Sequence, residues 1–138
     1  MSVFVDTSAL IALLDRDDPE HGRASAAWLA GLESGEGLLT SNYVVLEACA
    51  VAQRRFGMAA VRVLLDEILP LTHVEWIQEK DHTLGATALL AAGRRHLSLV
   101  DCVSFAVMRR LRIRQCLATD PHFAEQGFTQ YSPQPAEE

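Results

Sequence analysis

An α/β domain built on a mainly parallel sheet is what this chain predicts, and three observations carry the prediction. Short apolar runs alternate with longer amphipathic stretches along the whole length, as strand–helix–strand units do. The first run, Ser2 to Val5, stops at Asp6 and passes directly into a helix-forming segment. The 138 residues suffice for one domain with its own core, and 49% are hydrophobic against 22% charged.

Ser2 to Val5 reads as a buried strand that breaks at Asp6; Thr7 and Ser8 follow, then a short helix over Ala9 to Leu14. Asp17-Asp18-Pro19-Glu20 ends that helix and starts another, since proline suits a first helical position. Ala24, Ala27, Trp28 and Leu32 then recur at helical spacing. Gly35 and Gly37 turn the chain into a second strand, Leu38 to Thr40. Ser41 or Asn42 caps the next helix, which runs to Phe56 and is broken by Gly57. Met58 to Leu69 is a further amphipathic helix closed by Pro70. Thr72 to Ile77 is a third strand, with Val74 and Trp76 alternating, and Gln78 to Ala92 is a long helix ended by Gly93. Ser98 opens a helix to Leu111, and Ile113 to Thr119 is a fourth strand ending at Asp120. Pro121 to Glu125 is one helical turn and Phe128 to Tyr131 a last edge strand. The domain is placed at residues 1–131, with 132–138 a polar, proline-bearing tail. In a parallel α/β sheet, ligands sit beyond the carboxyl ends of the strands, which directs attention to Asp6 and Asp120.

Twelve Lys plus Arg against eighteen Asp plus Glu give a formal charge of −6. Grip on a polyanion normally comes from a basic surface, so any nucleic-acid activity here rests on bound cations and local basic patches. The single lysine is Lys80; the arginines cluster as Arg54-Arg55, Arg94-Arg95 and Arg109-Arg110. Their forks suit phosphate, or they are solvated groups near helix C-termini. The apolar runs are too short for a membrane span, and no basic-then-apolar leader opens the chain, so a cytoplasmic protein without a membrane partner is expected. Cys49, Cys102 and Cys116 are odd in number and form no CxxC pair; they read as free, buried thiols of a reducing compartment.

Four acids stand out. Asp6 and Asp120 are each placed to cap the helix that follows, and Ser98-Leu99-Val100-Asp101 resembles a capping box. Glu47 lies more than a turn into its helix, where capping is no explanation, and shares a face with Tyr43, Val44, Ala50 and Val51. It needs a partner there, and a salt bridge to an arginine is the plain alternative to a functional role. Taken together, the four converge on one sheet edge. Crowded carboxylates raise one another's pKa, and a divalent cation relieves the repulsion. Oxygen-only ligands, with no paired histidines such as HxxxH, point to magnesium or manganese and away from zinc. Thr7 and Ser8 offer hydroxyls that orient a carboxylate or a water. Other folds with an aspartate after the first strand fit worse. The second aspartate of a haloacid-dehalogenase phosphatase is replaced by Ser8, and Lys80 is out of place for a receiver domain. Neither a GxxxxGK[ST] loop nor a GxSxG elbow occurs.

Over nearly its whole length the chain resembles PIN domains, and specifically the VapC-type toxins of bacterial toxin–antitoxin pairs. VDTSALIALLDRDDPEH is similar to the family's first motif, with Asp6 followed by Thr7 and Ser8. TSNYVVLEACAVAQRRFG is similar to the second, placing Glu47; LSLVDCVSFAVMRR to the third, placing Asp101; and LATDPHFAEQGF to the last, placing Asp120 before His122 and Phe123. The resemblance implies a three-layer α/β/α sandwich around the sheet. It also implies an endoribonuclease in which Asp6, Glu47, Asp101 and Asp120 hold one or two Mg2+ ions, with Mn2+ as substitute, and metal-activated water hydrolyses RNA phosphodiester bonds. A homodimer silenced by a cognate antitoxin protein is implied as well. Under that reading Arg54, Arg55, Arg94 or Arg95 flank the RNA path. Ile11, Leu14, Trp28 and Leu32 are core, or alternatively a groove for an antitoxin helix. The competing functions are a non-catalytic module that binds RNA or protein, and a housekeeping RNA-maturation nuclease without an antitoxin.

Overall fold

The computed structural model describes residues 2–133. Most of the expected tail, 134–138, lies outside the described residues. Five strands, β1 (Ser2–Val5), β2 (Gly37–Ser41), β3 (His73–Glu75), β4 (Gln115–Leu117) and β5 (Thr129–Gln130), form one sheet in the order β3-β2-β1-β4-β5. Every neighbouring pair is parallel. The helices are α1 (Thr7–Leu14), α2 (His21–Glu33), α3 (Asn42–Phe56), α4 (Met58–Val63), α5 (Glu79–Ala92), α6 (Leu99–Leu111) and α7 (His122–Glu125).

Consecutive residues of a strand face opposite sides of its sheet. Val3, Phe4 and Val5 are each fully buried, so both faces of β1 are covered, as a parallel sheet requires. Leu38, in register with Val3, meets Gly31 of α2 at 3.0 Å from the position a Cβ would take. On the other face Phe4 stacks with Phe123 of α7, which in turn meets Phe105 of α6 edge-on at 5.0 Å between centroids. The expected α/β architecture with helices flanking a parallel sheet is therefore what forms. Ile11 is buried with Ala52 and Val61 in a cluster joining α1, α3 and α4, while Leu14, Trp28 and Leu32 are partly buried against the core.

The α5–α6 hairpin is held closely. A Cβ at Gly85 would stand 2.5 Å from Val103 Cγ2 and 2.9 Å from its backbone nitrogen, so only glycine allows this approach. Beside it, fully buried Asp81 takes two hydrogen bonds of 3.0 Å from the Arg110 guanidinium, which also reaches Glu75 at 3.1 Å.

Several boundaries differ from expectation, each for a local reason. Pro19 does not open α2: Asp18 Oδ1 accepts from Glu20 N at 2.8 Å, keeping the segment in a turn until His21. Pro70 does not close a long helix. The chain widens into a π-helical turn over Leu64–Ile68, then tightens into a 3-10 turn over Leu69–Leu71 that begins around Pro70. The third strand is shorter than Thr72 to Ile77, because Ile77 N donates to the Asn42 side chain at 2.7 Å instead of a neighbouring strand, leaving Trp76 72% exposed. Asn42 is thereby committed, and Ser41 caps α3 through Val44 N at 3.2 Å. The fourth strand pairs only over Gln115–Leu117, so Asp120 lies in the loop three residues past its end.

What this topology does for function follows from the strand order. The chain lays β1, β2 and β3 outward, then returns across β1 to add β4 and β5, so the winding reverses between β1 and β4. Helices that follow parallel strands begin at the carboxyl edge, and a helix leading into one also has its N-terminus there. The starts of α1, α3 and α6 therefore share the edge where β1 and β4 release the chain, which is where this architecture opens a binding crevice.

Candidate active site

Asp6 caps α1 with extended backbone (φ −88°, ψ 162°), and its Oδ2 accepts from Ser8 N at 3.2 Å and from Ser8 Oγ at 2.7 Å. Its Oδ1 is buried without a hydrogen bond. Burial pushes the Asp6 carboxyl up to about 7, and the nearby charge of Asp101 acts in the same direction, against the lowering effect of the Ser8 bonds. Ser8 Oγ also accepts from Thr119 N at 2.9 Å, so one hydroxyl ties the end of β1 to the loop that carries Asp120. Thr40 Oγ1, fully buried, donates to the Val5 carbonyl at 2.8 Å and steadies the strand just before Asp6. Thr7 is buried too, and its hydroxyl has no hydrogen-bond partner among the described residues.

Asp101 stands in the first turn of α6 and forms the expected capping box. Ser98 N donates to Asp101 Oδ2 at 3.1 Å and Asp101 N to Ser98 Oγ at 3.0 Å. The capping explanation is thus true of Asp101, and it does not exhaust the residue. The carboxyl is buried, which raises its pKa above the ordinary value, and the charge of Asp120 raises it further.

Asp120 caps in a modified way: its Oδ1 accepts from His122 N at 2.8 Å, and the residue before α7 is Pro121. The same turn brings the His122 ring back over the carboxylates. Its Nδ1 lies 2.7 Å from Asp120 Oδ1 and 3.7 Å from Asp101 Oδ2. One ligand atom from each of Asp101, Asp120 and His122 falls within 4.8 Å of the others. A four-residue helix has little stability of its own; here fully buried Phe123, packed among Phe4, Phe105 and Phe128, anchors it.

The structure therefore joins three of the four acids, Asp6 to Asp101 and Asp101 to Asp120, by charge and proximity. Glu47 is not joined to them by any contact among the described residues. It is half-buried on α3, about 8 Å along the axis from the helix start. It makes no hydrogen bond or ion pair with a described residue, so the arginine partner expected of a merely structural glutamate is not there. Beside the acids expected to form an oxygen-only cluster stands the His122 imidazole. Histidine pairing in the sequence does not reveal this, since His122 stands alone among the acids. A usable signal was Asp120-Pro121-His122-Phe123, where a buried aromatic anchor fixes a carboxylate and an imidazole on one turn.

The donors suit a divalent cation. An unpaired buried oxygen on Asp6, and the Asp6 and Asp101 carboxyls whose ionisation is disfavoured by burial and by a neighbouring carboxylate, are what a cation satisfies and a hydrogen-bond network has left unsatisfied. Among the described residues no arginine fills that role in the cluster, where the one basic group is the His122 ring. Arg55 pairs with Asp15 at 3.1 Å and Arg94 with Glu125 at 2.7 Å, while Arg54 and Arg95 are exposed. All three cysteines are free thiols, and no helix among the described residues is long and apolar enough to cross a membrane.

Known proteins resemble this chain in sequence and in fold. The PIN domain model matches residues 3–128. The 23S rRNA-specific endonuclease VapC20 of Mycobacterium tuberculosis is 31% identical over an alignment of 145 positions covering 96% of this chain and 99% of the relative. The crystal structure of M. tuberculosis VapC20, described as a sarcin–ricin loop cleaving toxin, matches with a TM-score of 0.82 at 32% identity, over 96% of this chain and 100% of that one. FitAcB from Neisseria gonorrhoeae (TM-score 0.66, 17% identity, 95% and 97% coverage) shares the fold. So does FitAB bound to an IR36 DNA fragment (TM-score 0.68, 17% identity, 99% and 98% coverage). With its parallel sheet, its acids gathered where the winding reverses, and a family model spanning nearly all of its length, this chain belongs to the PIN-domain family.

Proposed function

We propose that this protein is a VapC-type toxin: a divalent-metal-dependent endoribonuclease, paired with a cognate antitoxin and working as a homodimer. The observation that carries the proposal is the buried Asp6 carboxyl with one oxygen unpaired, facing the charge of Asp101, which in turn adjoins Asp120. The 23S rRNA specificity of VapC20, similar over almost the full length of both chains, makes the large ribosomal RNA the first substrate to try.

In this reading Asp6, Asp101 and Asp120 would hold the ion, Mg2+ or Mn2+, and Glu47 would supply the fourth carboxylate from α3. A bound divalent cation supplies Lewis acidity, letting water ionise near neutral pH and offsetting charge that develops on the phosphate. Ser8 positions the Asp6 carboxylate and the Asp120 loop together. Thr7 offers a buried hydroxyl at the same helix start. The N-termini of α1, α3 and α6 turn their partial positive charge toward the edge where a phosphate arrives.

Purified protein incubated with ribosomes and Mg2+, followed by mapping of new 5′ ends, tests the proposal. One discrete cut in the large-subunit RNA is expected, absent with EDTA and absent with Asp6→Asn or Asp101→Asn. RNA binding without cleavage in either Mg2+ or Mn2+ would instead favour the non-catalytic module.

A further inference from the structure

We propose that the His122 imidazole gives a nitrogen donor to the ion held by Asp101 and Asp120, and that this mixed donor set makes the site prefer Mn2+ over Mg2+. The inference rests on the metal-holding role proposed above for the carboxylates and adds to it a ligand and a selectivity.

The geometry is specific. His122 is 9% exposed, and its Nδ1 is within reach of two carboxylates, at 2.7 Å from Asp120 and 3.7 Å from Asp101. The contact to Asp120 is an ion-pair contact without the alignment of a hydrogen bond, so Nδ1 is buried and its hydrogen-bonding capacity is unused among the described residues. Buried nitrogens in folded proteins are almost always hydrogen-bonded, and one that instead faces oxygens of two carboxylates stands where a third donor to a shared cation belongs. The backbone that carries the ring is held in place. Its neighbour Phe123 is locked at 5.0 Å from Phe105 and 6.4 Å from Phe4, and Asp120 Oδ1 pins the His122 backbone nitrogen at 2.8 Å.

Selectivity follows from the donor types. Mg2+ takes oxygen ligands, holds its waters and demands near-ideal octahedral geometry. Imidazole nitrogen suits first-row transition ions, and Mn2+ accepts carboxylate oxygen as well. Two carboxylates with one imidazole therefore bind Mn2+ with a ligand that Mg2+ uses poorly.

The test uses metal-free full-length protein titrated with MnCl2 and, separately, MgCl2. Electron spin-echo envelope modulation of the Mn2+ complex should show coupling to a 14N nucleus in the wild type, and lose it in His122→Ala and His122→Asn. The Mn2+ affinity of His122→Ala should fall on the order of tenfold or more while its Mg2+ affinity stays nearly unchanged. His122→Asn, which offers an amide oxygen, should keep Mg2+ binding and narrow the preference. Bound Mn2+ without nitrogen coupling in the wild type overturns the proposal, as does an equal loss of affinity for both ions, which would make His122 only a support for Asp120. If His122→Ala fails to fold, the wild-type spectrum and His122→Asn decide. Failure of the wild type to bind Mn2+ at all overturns the metal-holding reading itself, and this inference with it.

Discussion

Asp6 carries a conflict that is measurable in the metal-free protein. Its carboxyl is pushed up to about 7 by burial first and by Asp101 in addition, so the folded state disfavours the charged form. The sign is that of an acid raised on folding. Below the ordinary carboxylate range both states are protonated and nothing is lost; between about pH 4 and 7 the unfolded chain ionises while the folded one does not, and stability falls as pH rises. Melts in EDTA across that window should show a loss of roughly a few kcal/mol that Asp6→Asn lacks. Divalent-ion affinity should rise over the same window, because the proton must leave Asp6 first. Ser8 has its own test. It donates to Asp6 at 2.7 Å and accepts from Thr119 at 2.9 Å, so Ser8→Ala should cost about 1–2 kcal/mol of stability. Cleavage should slow by roughly 10–100-fold, with the RNA dissociation constant little changed, as single-turnover kinetics would report.

At the scale of elements, the α5–α6 hairpin is fastened by a pair that no local pattern announces. Asp81 is fully buried and Arg110 about a fifth exposed, with two bonds of 3.0 Å between them. Arg110→Met should destabilise by about 3 kcal/mol in urea, toward the lower end for a broken buried pair because the guanidinium is partly solvated. Adding Asp81→Leu should recover part of that loss, since the uncompensated charge then disappears. What could be read from the chain, and what could not, divides in the same way. Asp6, Asp101 and the Ser98 capping box rest on contacts within three residues, and the parallel sheet followed from alternation with helices. His122 against Asp101, Asp81 against Arg110 and Asn42 against Ile77 join residues far apart in sequence, so no spacing rule exposes them. The π-helical turn over Leu64–Ile68 keeps the apolar spacing of an ordinary helix, and hydrophobic periodicity does not distinguish the two.

For the whole molecule, the formal charge of −6 constrains how RNA is held. A net-acidic protein that binds a polyanion does so through few phosphate contacts, so its salt dependence should be shallow. Arg54, Arg55, Arg94 and Arg95 are all exposed, but Arg55 and Arg94 are paired with Asp15 and Glu125, which leaves Arg54 and Arg95 as the members without an ion pair among the described residues. Arg54→Ala and Arg95→Ala should each flatten the plot of log affinity against log salt by about one unit, and Arg55→Ala and Arg94→Ala by less. Equal slopes in all four variants would remove these arginines from the RNA path.

The central claim is that side chains distant in sequence meet around one divalent ion, and anomalous diffraction from a crystal grown in MnCl2 tests it most directly. An anomalous peak is expected within ligand distance of oxygens from Asp6, Asp101 and Asp120, and the same map decides whether Glu47 reaches the ion. Carboxylates turned away from one another, with no peak among them, would contradict it.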